Sequence, residues 1–146
     1  MSLQMSLRRI CLCVLVLLVA GCGDNGGRVP VTGLVTFDGK PLEDGNIVFS
    51  GEQGAAGVGK IVNGSFTMSE TGEETGVLPG SYSVLISSWF EELGAVQPNG
   101  SFSPGKPRIP LYYRDPKKSG LTVEVKQGEK NYFTFELSSD VGKEKK

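Results

Sequence analysis

The chain predicts an all-β domain, an antiparallel sandwich of about seven short strands, and three observations lead there. From Val29 onward apolar and polar residues alternate with period two in one run after another. Turn signals bearing glycine, asparagine or proline separate those runs, and no stretch after Cys22 sustains the 3.6-residue period of an amphipathic helix. The 146 residues leave room for one domain, and 21 glycines with 8 prolines suit a loop-rich β fold.

The first strand places Val29, Val31, Val35 and Phe37 on one face, with Gly33 among them, and Pro30, Thr32, Leu34 and Thr36 on the other. Asp38-Gly39-Lys40-Pro41 reads as a turn, after which Ile47 and Phe49 resume the inward alternation. Gly57–Val62 and Ser65–Met68 flank Asn63-Gly64, the strongest short hairpin signal. Tyr82, Val84 and Ile86 alternate with serines; Leu121, Val123 and Val125 alternate with Thr122, Glu124 and Lys126. In the last run Phe133, Phe135 and Leu137 alternate with Tyr132, Thr134 and Glu136. Residues 89–110 break this rhythm with four prolines and three glycines, and a connection that long is expected to be functional or mobile. The domain is therefore read as 29–138, followed by a charged tail, 139–146, expected to be disordered.

The start of the chain gives an address. The apolar run Ile10–Gly21 holds 12 residues, roughly 18 Å as a helix, against the ~20 residues needed to span a bilayer core. Arg8 and Arg9 precede it, and the small residues Ala20 and Gly21 close it, which is the layout of a secretory signal over 1–21. Val19-Ala20-Gly21-Cys22 resembles the bacterial lipobox. That resemblance implies cleavage before Cys22, a diacylglyceryl group on its sulfur and acylation of the new amino end. Two or more chains hold a protein stably on a membrane, at ~0.8 kcal/mol per buried CH₂. Residues 22–28 would be a tether reaching ~25 Å at most. The three cysteines are Cys11, Cys13 and Cys22, so processing leaves a domain with neither free thiol nor disulfide, whose stability must come from packing.

Three further segments are similar to a known family. Val31–Leu42, VTGLVTFDGKPL, resembles the opening strand and turn of carboxypeptidase regulatory-like, transthyretin-like domains. Leu78–Val84, LPGSYSV, is similar to their LPPGxYxV element with one proline missing. Ile109–Val125 resembles the closing segment of bacterial lipoproteins that carry this domain alone behind a lipobox. The resemblance implies a prealbumin-like, seven-stranded Greek-key β-sandwich acting as an accessory or interaction module. It implies no activity, because fold does not give function. Where such domains often carry an Asp-rich turn, this chain has Gly59–Met68, GKIVNGSFTM.

Composition closes several classes of chemistry. The chain has no histidine, so the usual zinc sets and the Ser-His-Asp and Cys-His schemes fail. Following position 21 there are 13 basic and 16 acidic residues, a net of −3, with no concentrated basic run of the kind nucleic acid requires. Gly54–Ile61, GAAGVGKI, is one residue short of a P-loop but has Ile61 where Ser or Thr must follow the lysine. Gly54–Gly59 is expected instead to be a flexible inter-strand loop. Asp38, Glu43 and Asp44 cluster at one turn without EF-hand spacing, and solvation accounts for them. Asn63-Gly64-Ser65 and Asn99-Gly100-Ser101 fit the glycosylation sequon but equally serve tight turns. A carboxylate pair such as Glu91 with Asp115 would be needed for hydrolysis, and nothing in the spacing favours it. No catalytic residue, cofactor or metal is therefore assigned.

Two aromatic groups remain. Tyr82, after Leu78-Pro79-Gly80, reads as a corner tyrosine bonding nearby backbone. Trp89, Phe90 and Phe102 on the long loop, with Tyr112 and Tyr113 beyond it, form a candidate partner or glycan contact, the alternative being that they fold back to cap the core. The expected protein is exported, lipid-anchored through Cys22 and facing the periplasm or cell exterior. It is expected to be non-enzymatic, with a protein-interaction or structural role. The alternative role is binding of a glycan or small ligand at the 89–113 aromatics. Its partners are then the membrane and an envelope protein or glycan, and not nucleic acid.

Overall fold

The computed structural model describes residues 26–69, 76–91, 94–101 and 105–141, with only the backbone of Glu91. The expected leader 1–21, Cys22 with the start of its tether, Phe102 and residues 142–146 lie outside the described residues. No helix among the described residues is long and apolar enough to cross a membrane.

The described chain is all-β. Its strands are β1 (Val31–Phe37), β2 (Lys40–Pro41), β3 (Asp44–Gly51), β4 (Gly54–Val62) and β5 (Ser65–Ser69). These are followed by β6 (Gly80–Ser87), β7 (Trp89–Glu91), β8 (Lys106–Pro107), β9 (Thr122–Val125) and β10 (Asn131–Leu137), with a single 3-10 turn at Leu111–Arg114. One sheet runs in the order β10-β1-β5-β4-β3-β6-β9, with β2 paired to β1; β7 and β8 form a separate hairpin. All neighbours are antiparallel except β1 and β10, which run parallel from Val31↔Asn131 to Phe37↔Leu137. That pair departs from the purely antiparallel expectation, because the last strand returns beside the first in the same direction.

Connectivity forces the sheet to curl. Strands β9 and β10 lie at opposite ends of the path, six spacings apart, or ~29 Å if the sheet were flat. Only residues 126–130 join them, a reach of ~20 Å. The join is tighter still: Asn131 accepts from the Lys126 amide at 2.9 Å and donates back to its carbonyl at 2.9 Å. The inward faces of the two ends therefore meet. Phe49 on β3 packs edge-on against Phe133 on β10, with ring centroids 6.2 Å apart, and stacks on Tyr82 of β6 at 6.0 Å. Val31, Val35, Ile47, Ile61, Met68, Val84 and Ile86 complete a sealed interior, each worth roughly 1.5–3 kcal/mol of burial for a large aliphatic side chain.

Local signals act as the alternation predicts. Asn63 and Gly64 both take positive φ, 49° and 81°, as do Asp38 and Gly39, at 47° and 77°. These left-handed pairs carry the twist of a two-residue hairpin turn. The Tyr82 hydroxyl donates to the Leu78 carbonyl at 2.8 Å, the corner bond expected of it.

Two boundaries move. Gly54–Gly59 is not a loop but the first part of β4, whose Gly57 and Gly59 point inward and are buried. A Cβ at Gly57 would lie 2.8 Å from Val77 Cγ2, and one at Gly59 2.8 Å from the Thr67 carbonyl. These glycines supply room for neighbours, not flexibility. Packing also continues past Ser138: the Ser139 amide donates to Asp38 at 2.9 Å and Val141 lies against the core.

Candidate interaction site

The sheet has two distinct ends. The chain enters at Val29, which bridges Val77, and β1 starts there. At the opposite end β1 and β4 finish, β3 begins and β6 finishes, so Asp44, Lys60, Ser87 and Trp89 gather there. Ser88 is buried and its hydroxyl lies 3.3 Å from Asp44 Oδ1. Its carbonyl accepts from the Arg108 amide at 2.9 Å, which fixes the segment after β8 against the end of β6.

Arg108 organises this end. Its guanidinium pairs with Glu43 through one terminal nitrogen and with Asp44, at 3.2 Å, through the other. It also lies over the Phe90 ring, 4.4 Å from the centroid, while Lys106 approaches the same ring at 5.5 Å. Its Nε is buried without a hydrogen-bond partner. The carboxylates are exposed, so each ion pair contributes at most about 1 kcal/mol, and the packing of cation on ring matters as much. Arg114 repeats the motif over Trp89 at 5.0 Å. Beside Trp89 a cleft of about 460 Å³ is lined by Asp44, Gly45, Asn46, Lys60, Ser87 and Ser88. Among the described residues Lys60 has no ion-pair partner.

The aromatic group read from the sequence divides. Tyr113 is buried, and its hydroxyl both donates to the Ser138 carbonyl and accepts from the Ser138 amide, at 3.2 and 2.8 Å. It packs in the core, as the capping alternative for this group has it. Tyr112 packs edge-on against it at 5.5 Å and is half-buried. Trp89 is half-buried beneath Arg114, whereas Phe90 is 57% exposed. Phe102 lies outside the described residues. Of the four described rings Phe90 alone is exposed, Trp89 and Tyr112 are half-buried and Tyr113 is buried. No family model matches the chain, and neither a characterised protein nor a solved structure is significantly similar to it.

The acidic turn has other employment. Glu43 and Asp44 face Arg108, Asp38 receives the Ser139 amide, and no group of three or more His, Cys, Asp or Glu among the described residues is placed to hold an ion. Asn99 accepts from the Ser101 amide and hydroxyl at 3.0 and 2.6 Å, the side-chain-closed turn that its Asn-Gly step predicts. Periodicity did not single out Lys106, Arg108 or Arg114. A signal was present in composition: residues 106–118 hold five of the 15 basic residues and one of the 16 acidic ones.

Proposed function

We propose that this chain is a lipid-anchored, non-enzymatic cell-envelope protein whose domain, a Greek-key β-sandwich of the prealbumin, carboxypeptidase regulatory-like type, docks a protein partner at Phe90. The anchor is the acyl-modified Cys22 behind the signal peptide 1–21, and the domain faces the periplasm or cell exterior. One observation carries the docking role. Phe90 leaves more than half its surface in water, yet Arg108 and Lys106 brace its ring. A preorganised aromatic beside arginine is the composition of interface hot spots, since little side-chain freedom is left to lose on binding. The corner bond of Tyr82 and the left-handed Asp38-Gly39 turn support the fold assignment. A second reading has a specific observation in its favour: the cleft beside Trp89 offers hydroxyl, amide, ammonium and carboxylate groups, the donor and acceptor set a glycan uses.

The test is photo-crosslinking in intact cells from a reactive analogue at position 90, with Cys22→Ser fractionated in parallel. An adduct with an envelope protein, and release of the Cys22→Ser chain from membranes, are expected. Retention in the membrane fraction would remove the anchor. No adduct, with Trp89 fluorescence responding to added polysaccharide, would replace the docking role by the glycan reading.

A further inference from the structure

We infer that the end of the sheet carrying Trp89, Phe90, Lys106 and Arg114 recognises an acidic polypeptide segment that also bears apolar side chains. The inference rests on the protein-docking role proposed above and names the chemistry of its partner. The first observation is charge placement. A chain of net −1 places five basic residues and one acidic residue in 106–118, and of these Lys118 is paired with Asp115. The fold then sets Lys106 over Phe90 and Arg114 over Trp89. Arg108, by contrast, is already committed to Glu43 and Asp44. A guanidinium lying on a ring keeps its edge donors free for carboxylates while its face is held, so little freedom remains to be lost.

The second observation is apolar exposure on the same segments as these cations. Phe90 is 57% exposed and Leu111 54% exposed. Leu111 and Arg114 stand three apart in the 3-10 turn, where such residues eclipse and share one side. Cations accompanied by exposed apolar groups match a segment that carries both carboxylates and apolar side chains. A polyanion offering only charge would leave Phe90 and Leu111 uncovered, and the cluster is too short for the phosphate tracking of nucleic acid. The anchoring bilayer is disfavoured by topology, because these residues stand at the end of the strands opposite the entry at Val29.

The experiment uses the full chain in detergent and a short fluorescein-labelled peptide of Glu-Glu-Leu repeats, read by anisotropy. Binding is expected to weaken on raising salt, to drop about tenfold in Lys106→Glu/Arg114→Glu, and to be absent for Gln-Gln-Leu repeats. Lys126→Glu/Lys130→Glu makes the same charge change at the other end of the sheet and should bind as the parent does; matching circular dichroism shows both doubles folded. Equal binding by the Gln peptide, equal loss in both double variants, or binding to phosphatidylglycerol vesicles but not to the peptide would each overturn the inference. The position-90 adduct separates the two levels: an envelope protein captured there, with peptide binding indifferent to Lys106→Glu/Arg114→Glu, would leave the docking role standing and end the acidic assignment.

Discussion

Gly33 shows how one missing side chain organises its surroundings. It sits on the inward face of β1 between Val31 and Val35, with Phe133 on one flanking strand and Phe66 on the other. A Cβ there would collide with the Phe133 carbonyl and lie 2.7 Å from the Phe66 ring. The ring thus lies across the gap, tilted against Phe135 with centroids 6.0 Å apart. Gly33→Ala should destabilise by about 3 kcal/mol, the upper range for overpacking a core that cannot yield. Urea unfolding checks this, and a midpoint equal to the parent's would show that the contact relaxes freely.

The turn between the 3-10 helix and β9 is held by its own acid. Asp115 accepts the Lys117 amide at 2.9 Å on its side chain, while its carbonyl accepts the Lys118 and Ser119 amides. Its pKa is lowered, first by the Lys117 amide and then by Lys118, with desolvation opposing. A folded pKa below the unfolded one means that the carboxylate's contribution is full above the unfolded value, near pH 4, and fades as pH falls through the folded value. An NMR titration of Asp115 should give a midpoint below the ordinary range. Lys117→Pro, which deletes the donating amide, should return it there, while Lys118→Ala should move it less. The equal and opposite result would make charge, not the hydrogen bond, the cause. The same turn delivers Ser119, whose buried hydroxyl donates to the Val84 carbonyl at 3.0 Å and ties the segment to β6.

The molecule as a whole depends on its sheet closing over one interior. Phe49 is sealed from solvent and touches rings from β6 and β10, strands that the path keeps well apart. Phe49→Ala should cost ~3–5 kcal/mol, a large part of the ~5–15 kcal/mol a domain possesses. Thermal unfolding should show a strongly lowered and broadened transition; a small shift would mean that the two ends close without this contact. The same closure carries β10 alongside β1 and brings Ser138 to Tyr113.

The seven strands along the main sheet path, their inward alternation, the Asp38-Gly39 and Asn63-Gly64 turns and the role of Tyr82 were legible before folding, whereas β7 and β8 lay hidden in the segment 89–110 read as a connection. Period two, left-handed residue pairs and a corner tyrosine are local properties of the chain. The parallel β1–β10 pair, the inward Gly57 and Gly59, and the seating of Arg108 and Arg114 on Phe90 and Trp89 were decided only by tertiary structure. Alternation states which side of a strand a residue occupies but not which strand lies beside it. Close approaches and cation–ring contacts join residues distant in sequence, so their energies exist only once the sheet has curled.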